Sequence, residues 1–313
     1  MDITIIIPVY NEEKNIDLLY SRLSKVCQGI TTSYELLFVN DGSADSSLDM
    51  LKQLSLADPH IRYISFSRNF GHQIAVTAGI DHAEGDAIVI IDADLQDPPE
   101  LISEMYHKLR SGYEVVYAKR RSRSGESFMK KLTAKLFYRI LKSITAINIP
   151  VDTGDFRIMD RKITDTLKKM PEQHKYLRGQ ISWIGYRQGF VEYDRSERHG
   201  GVTGYTYRKM LKFALDGITS FSDFPLKFAT ISGFIVSGFA FFLIIYAVLA
   251  KIYDPDYQQG WASTIIAILF IGGIQLIGIG IIREYVSRIS DNVKQRPLYI
   301  IGESDVDYRR KNV

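Results

Sequence analysis

The sequence predicts an α/β fold, a mainly parallel sheet with helices on both faces, followed by two helices long enough to cross a membrane. Three observations predict it. Over the first 120 residues, short β-branched or aromatic runs alternate with helical patterns, the order expected when parallel strands are joined by crossover helices. The run from Ala87 to Ile91 breaks into Asp92, Asp94, Gln96 and Asp97 and then a Pro98-Pro99 stop, which reads as a buried strand delivering carboxylates to one sheet edge. Nearer the carboxyl end stand two uncharged apolar stretches, each of about the 20 residues that cross a bilayer core as a helix.

Strands are expected at Ile3 to Pro8, Tyr34 to Asn40, Ile61 to Ser67, Asp86 to Asp92 and Glu114 to Ala118, with helical patterns between them such as Ser46 to Ala57 and Pro99 to Ser111. The first four end in polar residues: Tyr10, Asn11 and Glu12; Asp41 and Gly42; Arg68 and Asn69; then the Asp pair. Ligands of open α/β sheets bind beyond the carboxyl ends of the strands, so all four sets are expected to line one crevice. Neither GxGxxG nor GxxxxGK[ST] occurs, which argues against a dehydrogenase and a P-loop ATPase. A nucleotide could still bind there, its diphosphate neutralised by a metal. Asp92 and Asp94, two apart on an extended segment, share a face and can meet one hard cation, with the Gln96 carbonyl as a third oxygen ligand. Oxygen-only ligation favours magnesium or manganese over zinc.

The chain has 313 residues, and its 39 basic and 36 acidic side chains give a net charge of +3, too balanced to suggest nucleic acid as a partner. Cys27 is the sole cysteine, which excludes an intrachain disulfide and zinc held by paired thiolates. Met1-Asp2 leads straight into a strand-like run, so no signal peptide is expected and the amino end should stay in the cytosol. Phe228 to Ala250 and Ala262 to Ile282 are the expected spans. Lys209, Lys212 and Lys227 precede the first, and Arg283, Arg288, Lys294 and Arg296 follow the second, whereas the link from Lys251 to Gly260 has one Lys and two Asp. By the positive-inside rule both termini face the cytoplasm. Tyr207 to Phe221 carries Lys209, Lys212 and Asp216 on one helical face and Leu211, Leu215 and Ile218 on another, the pattern of a helix lying along the membrane surface.

Five motifs, IIIPVYNEEKNI, FVNDGSADSS, SRNFGHQIAVTAGIDHA, DADLQDPPE and TGDFRIMDRK, together resemble the inverting family 2 glycosyltransferases of GT-A (Rossmann-like) fold. Within them the match is closest to the polyprenyl-phosphate enzymes, relatives of dolichyl-phosphate mannose synthase, and in particular to bactoprenyl-phosphate glucosyltransferases of the GtrB type. The similarity covers essentially the whole chain, including the closing REYVSRISDNVKQRPLY. The resemblance implies a cytoplasmic GT-A catalytic domain at 1–206, a juxtamembrane helix at 207–227, spans at 228–250 and 262–282 joined by an external loop at 251–261, and a cytoplasmic segment at 283–313.

It also implies roles. Residues matching Pro8, Tyr10, Glu12 and Asp41 hold the nucleoside of the donor, with Arg68 and Asn69 beside them, and Asp92, Asp94 and Gln96 hold Mg2+ or Mn2+ on the diphosphate. His72, a lone histidine after a glycine, reads as a loop residue. Arg120, Arg157 and Arg198 match arginines that surround the reacting phosphates, while Arg121 and Arg123 are expected to act as steering charges. Asp155 occupies the family's catalytic position. A phosphate monoester, with a second pKa of about 6, is already mostly dianionic at neutral pH. Asp155 is therefore expected to orient the acceptor or an arginine, or to stabilise positive charge on the sugar, rather than to remove a proton. Gly204 stands where many relatives carry a Lys, and HGGVTGY suggests a flap over the donor.

The implied reaction is metal-dependent, inverting transfer of a hexose, glucose favoured, from a UDP-sugar to undecaprenyl phosphate at the cytoplasmic membrane face. Implied partners are the lipid bilayer, further copies of the chain as a homo-oligomer (a tetramer by resemblance), a flippase and a downstream transferase. Alternatives are N-acetylglucosamine or mannose as the sugar, a processive polysaccharide synthase, or a non-catalytic nucleotide-sugar sensor. The synthase would need more spans and a QxxRW signature, but Gln180-Ile181-Ser182-Trp183 lacks the Arg.

Overall fold

In the computed structural model, which describes residues 1–121, 153–194, 222–253 and 260–305, a sheet of eight strands carries the fold. The strands are β1 (Ile3–Val9), β2 (Tyr34–Asn40), β3 (Ile61–Phe66), β4 (Ala87–Ile90), β5 (Val115–Arg120), β6 (Thr153–Asp160), β7 (Gln188–Tyr193) and β8 (Ile301–Ser304). Helices α1 (Ile16–Gln28), α2 (Ser47–Ala57), α3 (His72–His82), α4 (Leu101–Arg110), α5 (Arg161–Lys168), α6 (Leu177–Ile184), α7 (Phe224–Tyr253) and α8 (Trp261–Lys294) complete it. Across the sheet the order is β7-β5-β6-β4-β1-β2-β3-β8.

β1 is buried throughout because it lies between β2 and β4, and its isoleucines serve both faces. Ile3, Ile5 and Ile7 join Leu36, Phe38 and Val89 in one core, closed by Leu19 and Leu23 of α1, Leu51 of α2, and Ile102 and Met105 of α4. Ile6, Leu37, Val39, Ile88 and Ile90 face the other way, onto Ala75 and Val76 of α3, Ile163 of α5 and Ile181 of α6. Alternation along each strand thus builds a three-layer sandwich. A Cβ on Gly79 would sit 2.2 Å from the Ile6 side chain, so α3 lies as close to β1 as a glycine permits.

β1 through β4 run parallel, and the chain reverses its direction of winding between β1 and β4. Two strands depart from the expected parallel arrangement. β6 is antiparallel to both β4 and β5, and β8 is antiparallel to β3.

α7 and α8 have 30 and 34 residues, are long and apolar enough to cross a membrane, and bury none of their apolar windows against the protein. Their ends differ from the expected spans. Phe224 to Lys227 belong to α7 rather than to a separate juxtamembrane helix, and α7 continues to Tyr253, into the expected external loop. α8 does not stop at residue 282; at about 1.5 Å per residue its length is roughly 50 Å, well beyond a bilayer core of about 30 Å. The excess carries its end to the sheet domain, where Asn292 Oδ1 accepts from Gln173 N at 2.9 Å and Asp291 pairs with His174 at 3.2 Å. Beyond α8, Tyr299 stacks on Phe66 with centroids 5.2 Å apart and donates to Asp81 at 3.0 Å. β8 then covers the β3 edge, so within the expected cytoplasmic segment at 283–313 the residues Ile301–Ser304 join the sheet. The expected helix at residues 207–221 lies outside the described residues.

Candidate active site

The crevice opens where β1 and β4 part. Their pairing ends at Ile6, two residues before buried Pro8, whose missing N–H costs no ladder bond to β4 there. Asn11 turns the chain with a positive φ of 58°, donates N–H to Ser43 Oγ at 2.9 Å and accepts from Ala44 N at 2.8 Å. Those bonds tie the loop after β1 to the loop after β2. Glu12 Oε2 accepts from Asn15 Nδ2 at 2.6 Å, and the ring of Tyr10 is half exposed.

Asp41 is buried, and its carboxylate shapes the next loop. Oδ1 accepts from Phe70 N at 2.6 Å and Gly71 N at 3.2 Å, and Oδ2 from Gly71 N at 2.9 Å. Burial raises its pKa and those amides oppose the rise. Asn69 Nδ2 donates to the Asp41 carbonyl at 3.1 Å, and Arg68 lies 4.0 Å over the Phe70 ring. A Cβ on Gly42, at φ 67°, would stand 2.5 Å from the Arg68 carbonyl carbon, so only glycine lets the two loops meet.

After β4, Asp94 Oδ1 accepts from Gln96 N at 3.1 Å, and Leu95 between them takes a left-handed φ of 58° with its side chain buried. A non-glycine residue there costs about 1–2 kcal/mol; Leu95 burial offsets it and holds the acidic turn. Asp92 Oδ1 is shut off from solvent with no hydrogen-bond partner, 3.6 Å from His72 Nε2. Burial raises the Asp92 pKa to about 6, against the pull of His72. No group of three or more His, Cys, Asp or Glu side chains is placed to hold a metal among the described residues. Two carboxylates, one with an orphaned oxygen, do suit a magnesium-like ion, which binds through one or two carboxylates and takes its remaining ligands from substrate phosphates and water.

Because β6 is antiparallel to β4, with Arg157 opposite Ile90, its first residues lie at the crevice and bring Asp155 to the Asp92 end. Asp155 is the hub. Oδ1 accepts from Arg157 Nη2 at 2.9 Å and Arg178 Nε at 3.0 Å; Oδ2 faces His72 Nε2 at 3.3 Å and Gln73 Nε2 at 3.4 Å. Burial would raise its pKa, but Arg178, His72 and Arg157 hold it well below the carboxylate range. Burial would likewise lower that of His72, yet Asp92 and Asp155 raise it to about 9, making the ring an imidazolium at neutral pH.

Arg157 is 1% exposed, donates to the carbonyls of Asp155 and Gly154 at 3.0 and 3.1 Å, and lies over the Tyr117 ring at 5.3 Å. It is an interior brace for Asp155. Arg120, at the end of β5, donates Nε to Tyr193 Oη at 3.2 Å and has Nη2 3.9 Å from Asp97. Tyr193 in turn donates to buried Asp97. Arg121 is exposed and near Glu192 and Asp194, consistent with a solvated charge.

The structure therefore brings Asp92, Asp94, Asp155, Arg157 and Arg120 to one site. It adds His72, Gln73, Arg178, Asp97 and Tyr193, which the sequence reading did not assign. His72 is not a loop residue but the first residue of α3, aimed between Asp92 and Asp155. Arg178 lies two residues before Gln180, where no motif spacing marks it. Arg198, Arg123 and the glycines of the expected flap lie outside the described residues.

Carboxylates and arginines gathered beyond the strand ends of an α/β sheet make this crevice the candidate active site of an enzyme. Residues 4–168 match the family described as Glycosyl transferase family 2. The chain is 52% identical over 96% of its length, and 93% of the relative's, to a Bacillus subtilis protein named "Uncharacterized glycosyltransferase YkcC". It is 39% identical over 97% of its length, and 98% of the relative's, to the SfII prophage-derived bactoprenol glucosyl transferase of Shigella flexneri. To the prophage bactoprenol glucosyl transferase homolog of Escherichia coli K12 it is 40% identical, over 96% and 98% of the two chains. The chain belongs to glycosyl transferase family 2, and its mixed α/β sheet is of the GT-A type. It is a glycosyltransferase.

Proposed function

We propose that this glycosyltransferase moves a hexose, glucose by preference, from a UDP-sugar to a polyprenyl phosphate at the cytoplasmic membrane face. The carrying observation is one crevice that joins the Asp92–Asp94 pair to the arginines gathered at Asp155, in a chain with two membrane-length helices. The relatives named bactoprenol glucosyl transferase support a polyprenyl acceptor and glucose. Both ends of the helix pair meet near the sheet domain, with Tyr285 donating to the Ser222 carbonyl at 2.7 Å and β8 on the β3 edge. That supports termini sharing the cytoplasmic side, as does the basic character of the flanks.

Asp92, Asp94 and the Gln96 carbonyl would hold Mg2+ or Mn2+, which when bound neutralises diphosphate charge and stabilises departing UDP. The loops after β1, β2 and β3, with Pro8, Tyr10, Glu12, Asp41, Arg68 and Asn69, would receive the nucleoside. A phosphate oxygen of the acceptor attacks the anomeric carbon as the bond to UDP breaks, and inversion turns an α-linked donor into a β-linked product. Asp155, saturated with donors and strongly acidic, acts as the anchor for cations and not as the base. A homo-oligomer, a flippase and a downstream transferase complete the proposal.

Membranes containing the enzyme, given radiolabelled UDP-glucose and undecaprenyl phosphate, should yield a labelled, organic-extractable, mild-acid-labile lipid. A panel with UDP-N-acetylglucosamine, UDP-galactose and GDP-mannose identifies the sugar. Absence of lipid label with every donor would refute the acceptor assignment.

A further inference from the structure

β4 and β6 run antiparallel with Ile90 opposite Arg157, and two residues further on Asp92 and Asp155 come side by side. His72 Nε2 lies between their carboxylates, 3.6 Å from Asp92 Oδ1 and 3.3 Å from Asp155 Oδ2. Like charges at neighbouring places on paired strands repel, and the imidazole is set against that repulsion. One ring nitrogen is thereby committed. The contact also settles how the ring is turned, because the bonds made by one nitrogen of a histidine aim the other.

Nδ1 points away from the two carboxylates and meets no partner among the described residues, and the side chain stays 42% exposed at the crevice. His72 opens α3 directly after the loop that Asp41 holds by the amides of Phe70 and Gly71. Its free nitrogen therefore stands between the loops after β2 and β3 and the Asp155 side. Neighbouring groups are less available: Gln73 Nε2 is turned to Asp155 at 3.4 Å, and Arg157 is enclosed. Charge balances across this cluster, His72, Arg120, Arg157 and Arg178 standing against Asp92, Asp94, Asp97 and Asp155, so it exerts no general pull on an anion. A single ring nitrogen suits a neutral hydroxyl instead. An imidazolium N–H donates to the hydroxyl oxygen, a neutral nitrogen accepts its proton, and a hydroxyl serves either way.

We propose that His72 is a sugar-binding residue, its Nδ1 hydrogen-bonded to one hydroxyl of the transferred hexose while Asp92 and Asp155 hold the ring through Nε2. The inference rests on the UDP-hexose reading above, in which the sugar lies between the diphosphate at the Asp92 end and the acceptor phosphate that attacks it. It makes His72 a determinant of which hexose is taken, since a site built to hydrogen-bond a substrate hydroxyl discriminates against a sugar that lacks it.

The test uses the full-length enzyme in detergent with saturating undecaprenyl phosphate. It compares kcat/KM for the UDP-hexose that the donor panel selects with kcat/KM for the monodeoxy analogues of that donor, each lacking a single hydroxyl. In the wild type one analogue should lose at least about tenfold, on the order of a hydrogen bond to a charged group. In His72→Ala every donor should be slower, but that analogue should now differ from its parent by less than about twofold, because the partner of the missing hydroxyl is gone. His72→Gln, whose amide also donates and accepts, should keep part of the dependence, and it carries the same comparison should His72→Ala fail to fold. A merely structural role for His72 would slow all donors in proportion and leave the ratios as in the wild type. That result, or a wild type indifferent to the loss of every hydroxyl, would overturn the assignment of His72 and leave the reaction itself standing. A wild type that transfers from no UDP-sugar would overturn both.

Discussion

Replacing Asp155 with Asn removes the carboxylate that neutralises Arg157, Arg178 and His72 at once. Arg157 suffers most, because it is 1% exposed and Asp155 is the one side chain it hydrogen-bonds among the described residues. Stranding one member of a buried ion pair costs about 3–5 kcal/mol. Asn keeps an oxygen where Oδ1 accepts, so the loss falls at the lower end, about 3 kcal/mol. A domain stable by about 5–15 kcal/mol tolerates that, and the variant should fold with a melting temperature about 6–12 °C lower. The pH dependence carries the sign. The folded pKa of Asp155 is depressed, so its stabilisation is complete above the unfolded value of about 3.9 and is lost as pH falls through the folded value. Urea unfolding of wild type and Asp155→Asn should therefore differ most between about pH 5 and 6.5, converge in stronger acid, and draw closer again as pH rises through about 9, where His72 loses the charge that Asp155 helps to hold. Equal stability at neutral pH would refute the buried-pair argument. The same variant tests mechanism. Between about pH 5 and 8, rates at saturating substrates should be lower in the mutant yet keep an acidic limb near pH 6, set by the lipid phosphate. Disappearance of that limb in Asp155→Asn would mean that Asp155 titrates as a base.

Arg157→Met should destabilise less than Asp155→Asn, because Asp155 retains Arg178, His72 and Gln73 and a methionine tolerates burial; chemical denaturation of the two variants ranks them, and the reverse order would contradict the hub. Asp94→Asn should abolish most transfer while the protein stays folded and membrane-bound, and EDTA should act likewise on the wild type; full activity of chelator-stripped enzyme without added magnesium or manganese would sink the cation assignment. Tyr299→Ala should cost about 1 kcal/mol in stability from the lost ring pair with Phe66. It should also weaken UDP binding, since β3 runs directly into the loop at residues 68–71 and Ser67 N donates to Ile300 O at 3.0 Å. Calorimetry with UDP and Mn2+ checks this, and unchanged affinity would separate β8 from the donor side.

The alternation of strands and helices through β5, the carboxylates after β4 and the two membrane-length helices were all legible in the sequence. Each depends on a local property: period two or 3.6, a stop at Pro98-Pro99, or an uninterrupted apolar length. Strand edges such as Tyr34–Asn40 could be read to the residue because their apolar runs end where the polar loop begins. What only the tertiary structure decided depends on pairing between distant segments. Nothing local to TGDFRIMD says that β6 runs antiparallel to β4, yet that direction is what carries Asp155 to Asp92. The environment of His72 is made by Asp92 and Asp155, 20 and 83 positions further along the chain, and that of Asp155 by Arg178. The closing YIIGES reads as a tail because a four-residue strand has too little pattern of its own; it becomes β8 only because α8 is long enough to return the chain to the open edge of β3. Residue types and periods determined the elements and the chemistry available, while register and strand direction decided which charges face one another.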